Sequence, residues 1–406
     1  MKGTRLKVHA LLNSLASNLA GPFVGYNETA SGASNLLIGY VQAISTLASS
    51  VAQLLGGGVA DRFGKRILMA TLFSVFVGAL WVGTAGISDN LALAVSWTAI
   101  TLGLGFYQAG WTAFLGEASE GEGRGSFLST FARLSGIGAL AGLLVATPIA
   151  AVDNKYVILD LLSGAVFLAS AFVLKGQREQ TVEKGEMTAP GVSRLRLYYG
   201  VTAVYGLFWG FAWPLFTITT VKIVNMTLLE FAVSQVIAVA STIAFQPLVG
   251  RLVDSDKRKW VFWGRMGLVV YPLAYMVIGA PWELYVLNVF SGFTNALLNV
   301  AFAAYLFDIS PTGQRGRRGA EFNVVTGVTT MFGSLLSAYL LTLVSSGLGL
   351  WESLAILYVV SAAGRAFAAL LHLRLPAGAL EAAKGGRVQA PPATQVANRL
   401  LRPERP

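Results

Sequence analysis

The sequence lacks cysteine and has very little charge. Only 12% of its 406 residues are Asp, Glu, Lys or Arg, whereas an ordinary soluble domain has about 25%. So few charged side chains cannot cover the surface of a water-soluble protein of this length. The absence of cysteine also excludes disulfide bonds, a thiolate nucleophile and a cysteine-ligated metal site.

Hydrophobic residues make up 54% of the chain and are concentrated in long runs without charge. A helix needs about 20 apolar residues to cross a bilayer, and these runs reach or approach that length. We therefore predict an all-α membrane protein with twelve transmembrane helices. These are spans 1 to 12, at residues 8–27, 35–56, 67–86, 90–113, 128–149, 155–174, 198–221, 231–250, 260–279, 283–306, 324–344 and 351–372.

The net charge of +10 follows from how the basic residues are distributed. With the N-terminus in the cytoplasm, Lys155 and Lys222 are the two basic residues placed outside. An excess of Lys and Arg in cytoplasmic loops is the usual orientation signal of a multi-pass membrane protein. We expect a plasma-membrane protein with both termini in the cytoplasm, and we expect no nucleic-acid partner.

An internal repeat divides the chain into two halves. Gly57 and Asp61 recur 193 residues later as Gly250 and Asp254. Other features recur at nearly the same offset: Glu117 with Asp308, Arg124 with Arg315, Gly136 with Gly327, and Pro22 with Pro214. Repetition at one offset indicates a duplicated unit. The predicted organisation is two pseudo-symmetric six-helix bundles at 1–175 and 197–375, a cytoplasmic linker at 176–196, and a disordered cytoplasmic tail at 376–406.

The loop between spans 2 and 3 reads Gly57-x-x-x-Asp61-Arg62-x-Gly64-Lys65-Arg66. Together with twelve spans in two halves, it resembles motif A of the major facilitator superfamily. Small residues let membrane helices approach closely, and we expect this of Gly57. The resemblance implies a gate between the halves, although these charges could simply anchor loops. The implied gating set is Gly57, Asp61, Arg62, Gly64, Lys65, Arg66, Glu117, Asp254, Arg258, Lys259 and Asp308.

Two departures from the family pattern argue against drug–proton antiport. Ala99 stands where the family has an arginine in span 4, and Leu143 stands where the antiporter signature has proline. The second copy of motif A also differs, with Ser255 and Lys257 at the positions of Arg62 and Gly64. We therefore expect its latch to be weaker.

The resemblance implies that spans 1, 4, 7 and 10 line a central cavity. The predicted substrate-binding residues are Asn18, Gln108, Arg133, Tyr205, Trp209, Trp213, Asn295 and Asn299. Aromatic rings and neutral amides suit a neutral or amphipathic organic molecule. The alternatives are that the amides bond between helices, that the tryptophans anchor at the lipid interface, and that Arg133 extends to the headgroups.

Few other charges lie near the predicted spans. We expect Glu28, Glu230 and Glu283 to be charges at the rim, and Asp160 to lie outside the transport pathway. His9 and His372 are expected at the interface. No catalytic constellation is apparent, so the chain is expected to be neither an enzyme nor a cofactor-binding protein.

The predicted function is a secondary transporter that moves a small organic solute by alternating access, with efflux favoured. Uptake of a sugar or metabolite, or a membrane sensor that has lost transport, are the alternatives. The expected partners are membrane lipids and the small-molecule substrate, with the protein a monomer.

Overall fold

The computed structural model describes residues 2–118, 124–175, 192–255, 257–309 and 315–374. All twelve predicted spans are helical there, and the all-α membrane fold is confirmed. The principal helices of spans 1 to 12 are Lys2–Ala20, Asn35–Phe63, Arg66–Thr84, Asn90–Ala118, Arg124–Ile149, Lys155–Leu174, Val192–Ile218, Leu228–Ser255, Lys257–Gly267, Pro281–Ile309, Arg315–Val344 and Leu350–Leu371. Nine described helices are long and apolar enough to cross a membrane. The predicted linker and tail lie almost entirely outside the described residues.

Three spans depart from a continuous α-helix. Span 1 passes through a 3₁₀ turn at Gly21–Phe23, where Pro22 stands, and resumes as Val24–Ala30. Span 7 ends in a π-helical turn at Thr219–Ile223. Span 9 stops at Gly267 and resumes as Val270–Tyr275. Such interruptions free backbone carbonyls that other groups must satisfy inside a membrane.

The helix ends follow from local side-chain chemistry. Span 2 begins after Ser34, whose hydroxyl accepts a hydrogen bond from Leu37 N at 3.2 Å. It ends at Gly64, which has a φ of 63°, a conformation that glycine adopts without steric penalty. Span 8 begins with a capping box in which Glu230 Oε2 accepts from the backbone and hydroxyl of Thr227.

The two halves repeat their packing. In the N-terminal half, span 1 packs against spans 5 and 6; in the C-terminal half, span 7 packs against spans 11 and 12. A methyl group at Gly142 of span 5 would overlap the carbonyl oxygen of Leu15 in span 1, and one at Gly333 of span 11 would overlap that of Leu207 in span 7. Corresponding glycines therefore allow the corresponding helix pairs to approach closely.

The halves meet along two pairs of spans, 2 with 11 and 5 with 8. In the first pair, the amide of Asn323 donates to Gln53 Oε1 at 3.0 Å, and Gly327 lies against the hydroxyl of Ser50. In the second pair, Gly136 faces the side chain of Ile243. The space between these two pairs is called the seam below.

One end of the seam is closed by contacts between spans 1, 7 and 8. We call this end the far side. The opposite end, where span 1 begins and where span 6 ends just before Lys175, is called the linker side. Tyr26 donates to the carbonyl of Met226 at 2.6 Å. The rings of Phe23 and Tyr26 lie 6.1 and 5.3 Å from the ring of Phe231. Aromatic packing of this kind stabilises the closed end.

A close approach between spans 2 and 4 lies one residue before Gly57. No described atom comes within 4 Å of a methyl group placed at Gly57, whereas one at Gly56 would lie 2.9 Å from Ala109 Cβ. Gly56 is therefore the glycine that faces span 4, and the close approach expected at Gly57 remains a prediction.

Candidate substrate site

Four spans border the seam. Spans 4 and 1 pack beside spans 2 and 5, and spans 7 and 10 pack beside spans 11 and 8. Because spans 2, 11, 5 and 8 join the halves, spans 1, 4, 7 and 10 lie next to the joining pairs in both halves. The predicted substrate residues on these four spans can therefore be placed relative to the seam.

Gln108 faces away from the interior of its own half. On span 4, Gly103 and Gly110 lie against span 3, and Gly105 lies against span 2. Gln108 is on the side of the helix opposite Gly103 and Gly110, and its side chain is exposed. This places a neutral amide, with both donor and acceptor atoms, where a solute in the seam can reach it.

The amides of Asn18 and Asn295 bond within their own helices. Asn18 donates to the carbonyl of Ser14 at 2.9 Å, and Asn295 donates to the hydroxyl of Ser291 at 3.0 Å. Both side chains are half-buried. An amide with a local partner keeps its oxygen as an acceptor for a second group.

Asn288 shows the alternative behaviour, an amide that joins helices. It donates to the carbonyl of Ser234 in span 8 at 2.9 Å and accepts from the hydroxyl of Tyr271 in span 9 at 2.6 Å. Asn288 is therefore a structural residue of the C-terminal half.

The aromatic residues of span 7 form a continuous stack. The rings of Tyr205 and Trp209 lie 5.9 Å apart, and those of Trp209 and Trp213 lie 6.2 Å apart. Tyr205 is buried, whereas Trp209 and Trp213 are half-buried. The stack therefore runs from the interior of the C-terminal half to more accessible positions.

Two buried arginines support this stack from behind. The guanidinium carbon of Arg265 in span 9 lies 4.1 Å from the Tyr205 ring centroid. That of Arg365 in span 12 lies 5.0 Å from the centroid of Trp209. The two arginines are 1% and 0% exposed. Cation–π contacts of this kind strengthen when water is excluded.

Arg365 also satisfies backbone groups at the break in span 9. It donates to the carbonyl of Leu268, within the break, at 3.1 Å. It donates to the carbonyls of Phe208 and Trp209 in span 7, each at 3.3 Å. Through three carbonyls, one side chain from span 12 holds spans 7 and 9 together.

The sequence reasoning missed Arg265 and Arg365, although a signal was present. Both positions lie inside predicted spans 9 and 12, and a charge within a span is a functional candidate by default. The residue that it did select, Arg133, is exposed on span 5. Its proposed contact with an anionic group of the substrate remains a prediction.

The two histidines are buried, not at the interface as expected. His9 is hydrogen-bonded to the carbonyl of Ser170 at 2.9 Å and to the hydroxyl of Tyr107 at 3.0 Å, which ties spans 1, 6 and 4 together. His372 lies with its Nδ1 3.4 Å from Arg265 Nη1. Both rings therefore act in packing between helices.

The three expected rim carboxylates divide into two kinds. Glu230 caps span 8, and Glu283 Oε2 accepts from Gly279 N at 2.7 Å at the start of span 10. Glu28 is instead 1% exposed. The expectation was wrong for Glu28, whose side chain is packed among residues of spans 1, 3, 4 and 6.

Part of the predicted gate lies outside what the structure describes. This applies to the side chains of Asp61, Glu117, Asp254, Arg258 and Asp308, and to that of the predicted binding residue Asn299. Of the remaining gating residues, Arg62, Lys65 and Lys259 are exposed and Arg66 is half-buried. The gating role of the whole set remains a prediction.

A comparison with known protein families gives two matched segments, one for each half of the chain. The family model of the Major Facilitator Superfamily matches residues 9–195 and 198–405. No match is found among curated proteins.

Solved transporter structures share the fold at low sequence identity. A mutant of the nucleoside transporter NupG superposes with a TM-score of 0.73 at 9% identity, covering 92% of this chain and 100% of that one. A D-xylose-proton symporter gives 0.70 at 14%, covering 92% and 96%. A bacterial homologue of the human lysosomal transporter Spinster, in an inward-facing and occupied conformation, gives 0.72 at 11%, covering 92% and 95%. With its twelve spans and a family match across both halves, the chain is an integral membrane protein that belongs to the Major Facilitator Superfamily.

Proposed function

We propose that this protein is a secondary transporter that exports a small neutral or amphipathic organic solute by alternating access. The observation that carries the proposal is the chemistry along the seam, where the half-buried Trp213 and the exposed Gln108 stand on spans from opposite halves. An indole gives a large apolar surface, and an amide fixes orientation by hydrogen bonds.

The two buried arginines do not change this substrate class. Arg365 already donates to three backbone carbonyls, and its guanidinium lies over Trp209. Each of its three guanidinium nitrogens donates to a backbone carbonyl, so the aromatic surface that it supports, and not its charge, is what a solute in the seam would meet.

Transport would proceed by rocking the two halves about this central site. The fold relatives include transporters for nucleosides, xylose and peptides, and binding between two repeats is a common arrangement in secondary transporters. In our proposal the aromatic contacts at the far side open as contacts on the linker side form. The protein has no catalytic role in this mechanism, and its plasma-membrane orientation places both termini in the cytoplasm.

Motif A would act as the latch of this motion. Gly64 ends span 2 in a left-handed conformation, so that Lys65 and Arg66 begin span 3 directly after the turn. We propose that Asp61 meets the start of span 11 and that the two basic residues reach Glu117 at the end of span 4, which holds the halves together when the linker side closes. The repeat copy, with Lys257 already inside span 9, would form a weaker latch.

The proposal is tested with purified protein in a solute panel. The panel contains sugars, nucleosides, organic acids and lipophilic cations, and thermal stability is measured because a ligand of the folded state raises it. A stabilising solute is expected to lose its effect in both Trp213→Ala and Gln108→Ala. The matched control is Trp282→Ala, since Trp282 is an exposed tryptophan at the start of span 10.

Transport of that solute is then measured in proteoliposomes of known orientation. Movement from the linker side to the far side supports export, whereas movement only in the opposite direction supports the uptake alternative. A solute that stabilises the protein but is never transported would contradict the transporter proposal and favour a sensor.

A further inference from the structure

A small cavity lies inside the N-terminal half, between spans 1, 3, 4 and 6. Its volume is about 30 Å³. A site for one water needs roughly 10–15 Å³ by this measure, so the cavity has room for two particles of that size. Both Glu28 and Asp160 line it, and no Lys or Arg is among its lining residues.

Glu28 brings an unsatisfied carboxyl group to this cavity. The side chain is 1% exposed, and neither of its oxygens has a hydrogen-bond partner within the described part of the chain. An ionised carboxylate that is buried without a partner is destabilising by several kcal/mol. A buried carboxyl group of this kind either takes up a proton or pairs with a bound cation.

The other walls provide polar atoms and aromatic rings. Trp81, which is 2% exposed, also lines the cavity, and its Nε1 has no partner among the described residues. Trp97 and Tyr156 add aromatic surface. Aromatic faces attract cations, and the buried indole N–H needs an acceptor such as a water oxygen.

We propose that this cavity binds one small monovalent metal cation, with sodium as the probe, together with one water molecule. The ion lies against the oxygens of Glu28, with Asp160 supplying further negative charge. Its water accepts the hydrogen bond of Trp81 Nε1. Oxygen donors of this kind suit a hard cation.

A divalent ion fits less well. Of the two carboxylates that line the cavity, Glu28 is fully buried, whereas Asp160 is only half-buried, so a single positive charge is enough to balance the buried group.

This site is separate from the proposed solute site and can be tested alone. The purified full-length protein is melted in choline chloride and in sodium chloride at equal ionic strength and pH. Saturating sodium is expected to raise the melting temperature by about 2–4 °C. Glu28→Gln is expected to abolish the shift, whereas Glu352→Gln, a change at an exposed carboxylate on the far side, is expected to retain it.

A second pair of variants and a direct assay guard against poor folding of Glu28→Gln. Asp160→Asn is expected to reduce binding of radioactive sodium to the purified protein at least fivefold, with Asp153→Asn, an exposed carboxylate in the preceding loop, as control. Solute binding, measured in the same preparations, distinguishes failure of this site from failure of the transport proposal.

Three results would overturn the proposal. The first is a wild-type protein that binds no sodium and gains no stability from it. The second is a sodium response that survives both Glu28→Gln and Asp160→Asn. The third is a stability that depends on pH through Glu28 but not on sodium, which would assign the cavity to a proton.

Discussion

The two halves share a backbone plan but bury opposite charges. Among the described residues, the interior of the N-terminal half holds the unpaired carboxyl of Glu28, and that of the C-terminal half holds Arg265 and Arg365. Gly142 and Gly333, which lie at close helix crossings, correspond across the repeat. Duplication has thus preserved how the helices pack, whereas the interior charges have diverged.

This difference assigns different tasks to the halves. In the C-terminal half, Arg365 donates to backbone carbonyls and lies over Trp209, and Arg265 lies over Tyr205, so the two cations stiffen the aromatic stack of span 7. In the N-terminal half the carboxyl is left unsatisfied next to a cavity. A satisfied buried charge serves structure, and an unsatisfied one calls for a ligand.

The largest effect is expected from removing the arginine that holds three carbonyls. Arg365→Ala leaves the carbonyls of Phe208, Trp209 and Leu268 without this donor and creates a void. We expect a loss of about 3 kcal/mol in unfolding free energy, or roughly 3–4 °C in melting temperature for a chain of this length.

Thermal unfolding in detergent measures this loss, with Arg374→Ala as the matched control at an exposed arginine. Arg365→Lys is expected to recover only part of the stability, because an ammonium group lacks the planar fork of a guanidinium. An Arg365→Ala protein as stable as the control would show that the buried cation is not structural.

An intermediate effect is expected at the corresponding glycines. Gly142→Ala and Gly333→Ala each force a methyl group against a carbonyl of the neighbouring span, and we expect each to lower stability by about 1–3 kcal/mol. Gly200→Ala is the control, because no described atom lies within 4 Å of a methyl group there. If the melting temperature falls for only one of the two variants, the two helix crossings do not contribute equally to stability.

The smallest effect is expected at the turn that distinguishes the two copies of motif A. Gly64→Ala places a side chain at a φ of 63°, which should lower unfolding free energy by about 1 kcal/mol. Gly58→Ala, in the helix just before this turn and without close neighbours, should be neutral or stabilising. Chemical denaturation measures the unfolding free energy of both variants. If Gly64→Ala and Gly58→Ala are equally stable, the left-handed turn at Gly64 does not require glycine.

The spans and the repeat could be predicted because both follow from the order of residues along the chain, without knowledge of how the helices pack. Runs without charge set the span lengths, and polar residues such as Asn35, Asn90 and Lys155 mark positions where helices begin. Glycines and motif A recur at one offset, so the division into halves also follows from the sequence.

The interior of each half could not be predicted in the same way. Whether Glu28 lies at the rim or inside depends on how span 1 packs against spans 3, 4 and 6. The contacts of Arg365 depend on a break in span 9 that is nearly a hundred residues away in sequence. Such facts arise only when the spans are packed together.

Alternating access between the halves is tested most directly by distances across the seam. The chain has no cysteine, so spin labels can be placed at chosen pairs without background. Ser31→Cys with Ser346→Cys reports the far side, and Lys175→Cys with Arg374→Cys reports the linker side; all four residues are exposed. We predict two populations whose distances change in opposite directions at the two sides when solute is added. A single population on both sides, unchanged by a solute that binds, would contradict the account.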